Sequence, residues 1–244
     1  QGVSPIASVC VCTDYFTVND DGELCLKPGT MGMRDVLVFS EPGTFQFNKA
    51  DYPWLSRINV RVQGGGGGSA GANAAAGETI VRPGGTGGGY SEALIEATAL
   101  GGSENIVVGA GGAAGTSSTD GGAGTASSFG GFATAPGGNG GTSAQGSGTS
   151  PDVTSGIAGP LAGTGDFRMG GGASGGAIRL NSTNGISGQG GDSFMGTGGF
   201  PRASQGVGTA SRGFGGGAGG ALSYGNEYDG FAGGNGLVLV ELWG

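Results

Sequence analysis

Arg57-Ile58-Asn59-Val60-Arg61-Val62-Gln63 (RINVRVQ) runs without a break into five glycines at 64–68 (GGGGG). The first seven residues alternate. Ile58, Val60 and Val62 share one side, and Arg57, Asn59, Arg61 and Gln63 share the other. Side chains on a strand point to opposite faces in turn, so this pattern predicts a strand with one face on a core. The glycines that follow can neither fill a core nor favour a regular element, because each lacks a Cβ and loses the most backbone freedom on ordering. The fold therefore has to join a conventional sheet to a long glycine-rich segment.

Working outward, the residues before this junction read as short strands and turns. Tyr15-Phe16-Thr17-Val18 and Leu24-Cys25-Leu26 flank Asn19-Asp20-Asp21-Gly22-Glu23, a hairpin-turn signal. Asp20, Asp21 and Glu23 lack the spacing of a calcium loop, so the turn is read as only a turn. Val36-Leu37-Val38-Phe39 and Thr44-Phe45-Gln46-Phe47 are further strand candidates. Beyond the glycines come Asn105-Ile106-Val107-Val108, Ala177-Ile178-Arg179-Leu180 and the terminal Leu237-Val238-Leu239-Val240-Glu241-Leu242-Trp243. The last is apolar on nearly both faces, which predicts a central strand returning to the early sheet. The 91–100 stretch (SEALIEATAL) has helix-forming residues but is short and bounded by glycine, and is read as a strand.

The chain has 244 residues and 64 glycines, only five of them before position 64. GxxGxxG spacing occurs at Gly65/68/71, Gly109/112/115, Gly185/188/191, Gly213/216/219 and Gly230/233/236. That spacing suits packed polyproline II helices, which have three residues per turn. At this glycine content chance alone gives about four such triplets, so the spacing does not establish a bundle. Loops and tight turns account for the same composition. Ordering so much glycine is expensive, and an oligomer is expected.

Composition also excludes functions. The formal net charge is −8, with no histidine and two lysines, Lys27 and Lys49. Nucleic-acid binding needs a basic footprint that is missing. No apolar run is long enough for a spanning helix, and the start shows no signal-peptide pattern. Without histidine there is no Ser-His-Asp or Cys-His pair, and neither lysine follows a glycine as a phosphate loop requires. Gly66, Gly68 and Gly71 match GxGxxG directly after a strand, but a nearly all-glycine stretch matches by accident, and no βα alternation follows. Cys10, Cys12 and Cys25 are read as buried or free thiols, with an intersubunit disulfide as the alternative. No catalytic, cofactor-binding or metal-ligating residue is assigned. Tyr224 and Tyr228, beside Glu227 and Asp229, form the most polar aromatic cluster and are the candidate contact surface.

Several stretches carry a family likeness: 18–33 (VNDDGELCLKPGTMGM), 50–68 (ADYPWLSRINVRVQGGGGG), 81–90 (VRPGGTGGGY), 91–115 (SEALIEATALGGSENIVVGAGGAAG), 128–138 (SFGGFATAPGG) and the ending 233–244 (GGNGLVLVELWG). In their order they resemble the glycine-rich minor tail proteins of tailed bacteriophages that infect actinobacteria. The resemblance implies a non-enzymatic virion component of the phage tail, of the tip or a fibre. Its implied partners are copies of itself, as a homotrimer, other tail proteins, and a host cell-surface glycan or protein. It carries over no catalytic residue, and no cofactor, nucleic acid or membrane insertion is expected. The runner-up readings are an ice- or surface-binding glycine-rich protein and, below it, a tail-associated cell-wall hydrolase.

The expected fold is all-β: an antiparallel β-sandwich with a long glycine-rich insertion of irregular loops and polyproline II segments. Residues 1–40 are expected to form an N-terminal strand-and-turn segment for attachment or oligomerisation. Residues 41–244 are expected to form a glycine-rich β domain.

Overall fold

A computed structural model describes residues 12–27 and 29–244. It is an all-β structure in two parts, a sandwich and a glycine bundle that projects from it. The strands of three or more residues are β1 (Phe16–Val18), β2 (Leu24–Leu26), β3 (Met33–Phe39), β4 (Gly43–Asn48), β5 (Arg57–Gln63), β6 (Tyr90–Glu96), β7 (Ser103–Val108), β8 (Ser127–Phe129), β9 (Ala133–Ala135), β10 (Asp152–Thr154), β11 (Phe167–Met169), β12 (Ala177–Asn181), β13 (Asn184–Ile186) and β14 (Leu237–Trp243).

One sheet has the order β11-β6-β5-β14-β3, and the other β9-β8-β7-β4. All their pairings are antiparallel. The terminal strand β14 sits between β5 and β3, as its two apolar faces predict, with Val240 opposite Val60. The 91–100 stretch forms most of β6 and pairs with β5. The inward set of β5, Ile58, Val60 and Val62, packs with Val238, Val240 and Leu242 against Phe47, Ile106, Val108 and Phe129 of the second sheet. The edge strand β3 comes from the N-terminal 1–40 segment, so that segment supplies part of the sheet.

The hairpin β1–β2 forms around the expected Asn19–Glu23 turn, with Val18 opposite Leu24. The Glu23 amide donates to Asn19 Oδ1 at 2.7 Å, and Asn19 Nδ2 donates to Glu23 Oε2 at 3.1 Å. Cys12 is an exposed free thiol and Cys25 a partly buried one; Cys10 lies outside the described residues.

The glycine-rich insertion is an ordered bundle rather than a set of irregular loops. Its axis is the segment 64–71, which leaves β5 directly. Successive amides of this segment donate to three different neighbours in rotation. Gly64 and Gly67 donate to Gly89 and Thr86; Gly65 and Gly68 to Thr125 and Gly122; Gly66 and Ser69 to Gly234 and Phe231. In each pair the acceptor number falls as the donor number rises, so these neighbours run antiparallel. The carbonyls accept from a second set of neighbours: Gly65 and Gly68 from Gly138 and Gly141, Gly66 and Ser69 from Gly112 and Gly115, and Gly67 from Ala218. For the first two of these, both numbers rise together, and the chains run parallel. Segment 215–218 is antiparallel to 85–88, which fixes it as parallel too.

A three-residue rotation of donors is the period of the polyproline II helix, whose backbone groups all point outward. Surrounded on every side, the axial helix hydrogen-bonds most of its backbone to other segments of the chain. This arrangement leaves no room for side chains. A Cβ on Gly65, Gly66, Gly67 or Gly68 would lie 2.2, 2.1, 1.9 or 2.1 Å from a neighbouring carbonyl oxygen. The GGGGG run thus touches neighbours on all three of its faces.

The junction between the two parts is Gln63. The alternation places it on the solvent side of β5, yet it is fully buried. Its Nε2 donates to the carbonyls of Gly64, Gly88 and Gly89 at 3.1, 3.0 and 2.9 Å. The bundle starts where the sheet ends, and it covers the last outward position of the strand.

Candidate functional site

The bundle determines where the candidate contact residues lie. Segment 64–71 leaves the sandwich, the chain turns through 72–80, and segment 84–89 returns into β6. Likewise 109–115 leaves β7 and 121–125 returns to β8, while 230–236 returns to β14. The turns at 72–80 and 116–119, together with 142–150 and 221–229, therefore gather at the end away from the sandwich. At about 3.1 Å per residue, the eight-residue axial segment spans about 25 Å.

Polar side chains tie these turns together. Asn73 Nδ2 donates to Ser117 Oγ at 3.1 Å, the Ala75 amide to Ser147 Oγ at 2.9 Å, and the Ala74 amide to Ser223 Oγ at 3.2 Å. The four residues of the expected contact cluster all belong to this distal end, but they do not form one patch. Glu227 and Tyr228 make a two-residue strand opposite Asn73 and Ala72; Glu227 is exposed and Tyr228 half-buried. Asp229 is exposed and accepts from the Ser117 amide through Oδ1 at 3.2 Å. Tyr224 instead packs on Val81, Ala177 and Leu222. Its hydroxyl donates to the Ala203 carbonyl at 3.2 Å, and burial raises its pKa above the usual tyrosine value.

Two arginines hold the distal turns from inside, and neither was singled out from the sequence as a site residue. Arg82 is 1% exposed. Its Nε donates to Gly71 O at 2.7 Å, and its Nη1 to Ser143 O at 2.8 Å and Gln145 O at 2.7 Å. Burial pulls its pKa down to about 10, opposed by the negative charge of Asp120. Asp120 is in turn held below the usual carboxylate range by hydrogen bonds from the hydroxyl and amide of Ser143. Arg179 donates to Ser150 O, Thr79 O and Gly146 O and pairs with Asp152 at 3.4 Å. A guanidinium offers five donors in a fixed fork, so one side chain can close several carbonyl-terminated turns at once. The available signal was an arginine set among apolar or proline neighbours, in Val81-Arg82-Pro83 and Ile178-Arg179-Leu180.

The aromatics of the glycine-rich part divide by position. Phe129 is fully buried in the sandwich core, and Phe132 packs against it. Phe194 stacks on Tyr90, with centroids 4.2 Å apart, and Phe167 meets both rings edge-on. Phe200, 56% exposed, lies on the side of the bundle rather than at its end. The GxGxxG match at Gly66, Gly68 and Gly71 is the buried axis of the bundle. Residues 70–76 form a two-residue strand and a turn, so no helix N-terminus faces a ligand there. Among the described residues no group of three His, Cys, Asp or Glu side chains is placed to hold a metal ion. Among these residues no helix is long and apolar enough to cross a membrane.

A family model described as a glycine-rich domain matches residues 40–243, nearly the whole sandwich and all of the bundle, and the chain belongs to that family. No curated protein matches it.

Proposed function

We propose that this member of the glycine-rich domain family is a structural virion component of a bacteriophage tail, a minor tail protein of the tip or a fibre. In this reading it assembles as a homotrimer with other tail proteins and presents its distal end to a host surface glycan or protein. The assignment to a phage tail rests on the ordered series of motifs from 18–33 to 233–244 that resembles the minor tail proteins. The structural observation that carries the reading is the closed hydrogen bonding of segment 64–71 with neighbours on all sides. Such a bundle is a strut. Its rigidity comes from backbone packed on backbone, and its turns hold short polar side chains at one end while the sandwich sits at the other.

The hairpin β1–β2 supplies the attachment. Among the described residues its backbone hydrogen bonds lie within residues 12–27, apart from the Thr30 amide, which donates to the Lys27 carbonyl at 3.2 Å, and Tyr15, Val18, Leu24 and Leu26 are exposed large apolar residues. A lone two-stranded hairpin is marginal in water and gains stability from a third partner. In the assembled tail that partner is a neighbouring subunit.

Antibody labelling of purified virions, joined to mass measurement of the native assembly, tests this. The expected result is label at the tail tip or along its fibres and a mass of three chains. Absence of the chain from purified particles would sink the tail assignment. A single-chain mass in the assembly would sink the trimer. Particles lacking the protein but adsorbing normally would remove the host-contact role.

A further inference from the structure

On the side of the bundle, lined by segments 189–201 and 210–212, which pair through Gly196–Thr197 and Arg212–Gly213, lies an open groove of about 460 Å³. Gln189, Asp192, Thr197, Phe200 and Arg212 line it, with Gly198 among them. Its size falls within the roughly 300–1,000 Å³ of small-molecule sites. We infer that this groove binds a saccharide, with a pyranose ring stacked on Phe200 and its hydroxyls held by Asp192, Gln189 and Arg212.

The groove carries the chemistry such a ligand needs. A pyranose has an apolar C–H face and a rim of vicinal hydroxyls. It therefore suits an aromatic ring beside planar groups that pair with two hydroxyls at once. Phe200 supplies the ring, and the carboxylate, amide and guanidinium supply the planar groups. Among the hydrogen bonds of the described residues, none engages the side chains of Gln189, Thr197 or Arg212, and Asp192 uses one oxygen, Oδ1, to accept from the Gly198 amide at 2.8 Å. The remaining polar atoms are therefore available. Asp192 and Arg212 balance each other's charge, which disfavours a phosphate or a cation as the occupant.

The groove is also held in shape before any ligand arrives. The carbonyls of Gln189 and Asp192 accept from Gly175 and Gly172 at 2.8 and 2.9 Å. Thr197 lies opposite Arg212 across the short strand pair, and the Phe200 carbonyl accepts from Thr209 Oγ1 at 2.6 Å. A Cβ on Gly198 would fall 1.9 Å from the Gly190 carbonyl oxygen. Ligand binding then does not have to order the backbone beneath the groove.

The test is saturation-transfer NMR on the full chain with tetrasaccharides of N-acetylglucosamine, glucose and mannose. At least one should receive saturation, and its affinity should fall by about tenfold or more in Phe200→Ala, in line with losing one aromatic contact. Asp192→Asn should weaken the same saccharide. Both side chains are exposed, so the melting midpoint should stay where it is; if Phe200→Ala does not fold, Asp192→Asn decides. Transfer to none of the three saccharides, or transfer undiminished in the variants, overturns the inference. The groove stands apart from the tail assignment: virion labelling can fail while binding persists, and the reverse.

Discussion

The carbonyl oxygen of Asn139 lies 1.9 Å from the point that a Cβ on Gly67 would occupy. The two residues are 72 positions apart in the chain, and the contact is between one backbone and another, with no flexible side chain to give way. Gly67→Ala is therefore expected to destabilise the protein by about 3 kcal/mol or more, because the helix must move off its neighbours and break hydrogen bonds as it goes. Gly102→Ala is the control. Nothing lies within 4 Å of its Cβ position, and the change should be neutral or stabilising by about 0.4–1 kcal/mol through the unfolded chain. Denaturant melts of both variants decide this; equal stability for the pair would contradict backbone-on-backbone packing.

Replacing Arg82 with Met should cost about 3–5 kcal/mol, since the carbonyls of Gly71, Ser143 and Gln145 lose their donor together and Asp120 loses a nearby positive charge. Lysine at the same place keeps the charge but not the fork, and should recover only part of the loss. Thermal unfolding of the two variants, with amide exchange at Gly71 and Gln145, checks both the size and the place of the effect.

Alkaline unfolding should depend on Tyr90. It is 1% exposed, and burial, its hydrogen bond to Glu92 and the charge of Glu92 raise its pKa well above the usual tyrosine value. The unfolded chain releases this proton near pH 10 while the folded chain keeps it. The folded state thus binds more protons above that point, and stability falls as pH rises. Arg82, with its pKa lowered to about 10, acts in the opposite sense over the same window. The informative quantity is therefore a difference: Tyr90→Phe should lose midpoint less steeply than the parent between about pH 9 and 11. Parallel pH profiles for the two proteins would rule out the tyrosine as the source.

Deleting residues 1–27 should leave the melting midpoint of the rest of the chain within about 1–2 °C, because among the described residues the hairpin is hydrogen-bonded to the rest only through Thr30, whose amide and hydroxyl donate to the Lys27 carbonyl. The same truncation should lower the mass of the native assembly or prevent incorporation into particles. A truncated chain that assembles and incorporates like the full one would end the attachment role proposed for the hairpin.

Much of the sandwich was legible in the chain because strands advertise themselves by period. Ile58, Val60 and Val62 alternate with polar residues, and β14 is apolar on both sides, so pairing of β5 with β14 follows from sheet physics. Gln63 escaped that logic. Its polarity and place in the alternation point outward, and only the arrival of the bundle buries it. The contact cluster was legible in part. Glu227, Tyr228 and Asp229 do reach the distal end, whereas Tyr224 spends its ring on an apolar cluster that no local pattern signals. The groove beside Phe200 brings together 189–200 and 212, which nothing in their spacing connects.

The sequence alone determined that a glycine-poor β-sheet part is joined to a part with too few side chains to build its own core. That follows from composition and alternation, which act locally. It left open whether the glycines are loops or a bundle, and the reason is physical. A helix with one crowded face needs glycine at every third position, and chance supplies that spacing. The axial helix is crowded on all three faces and needs glycine almost everywhere, which erases the period where packing is tightest. Only the tertiary structure, by placing a neighbouring backbone against each face of 64–71, decides what those glycines are for.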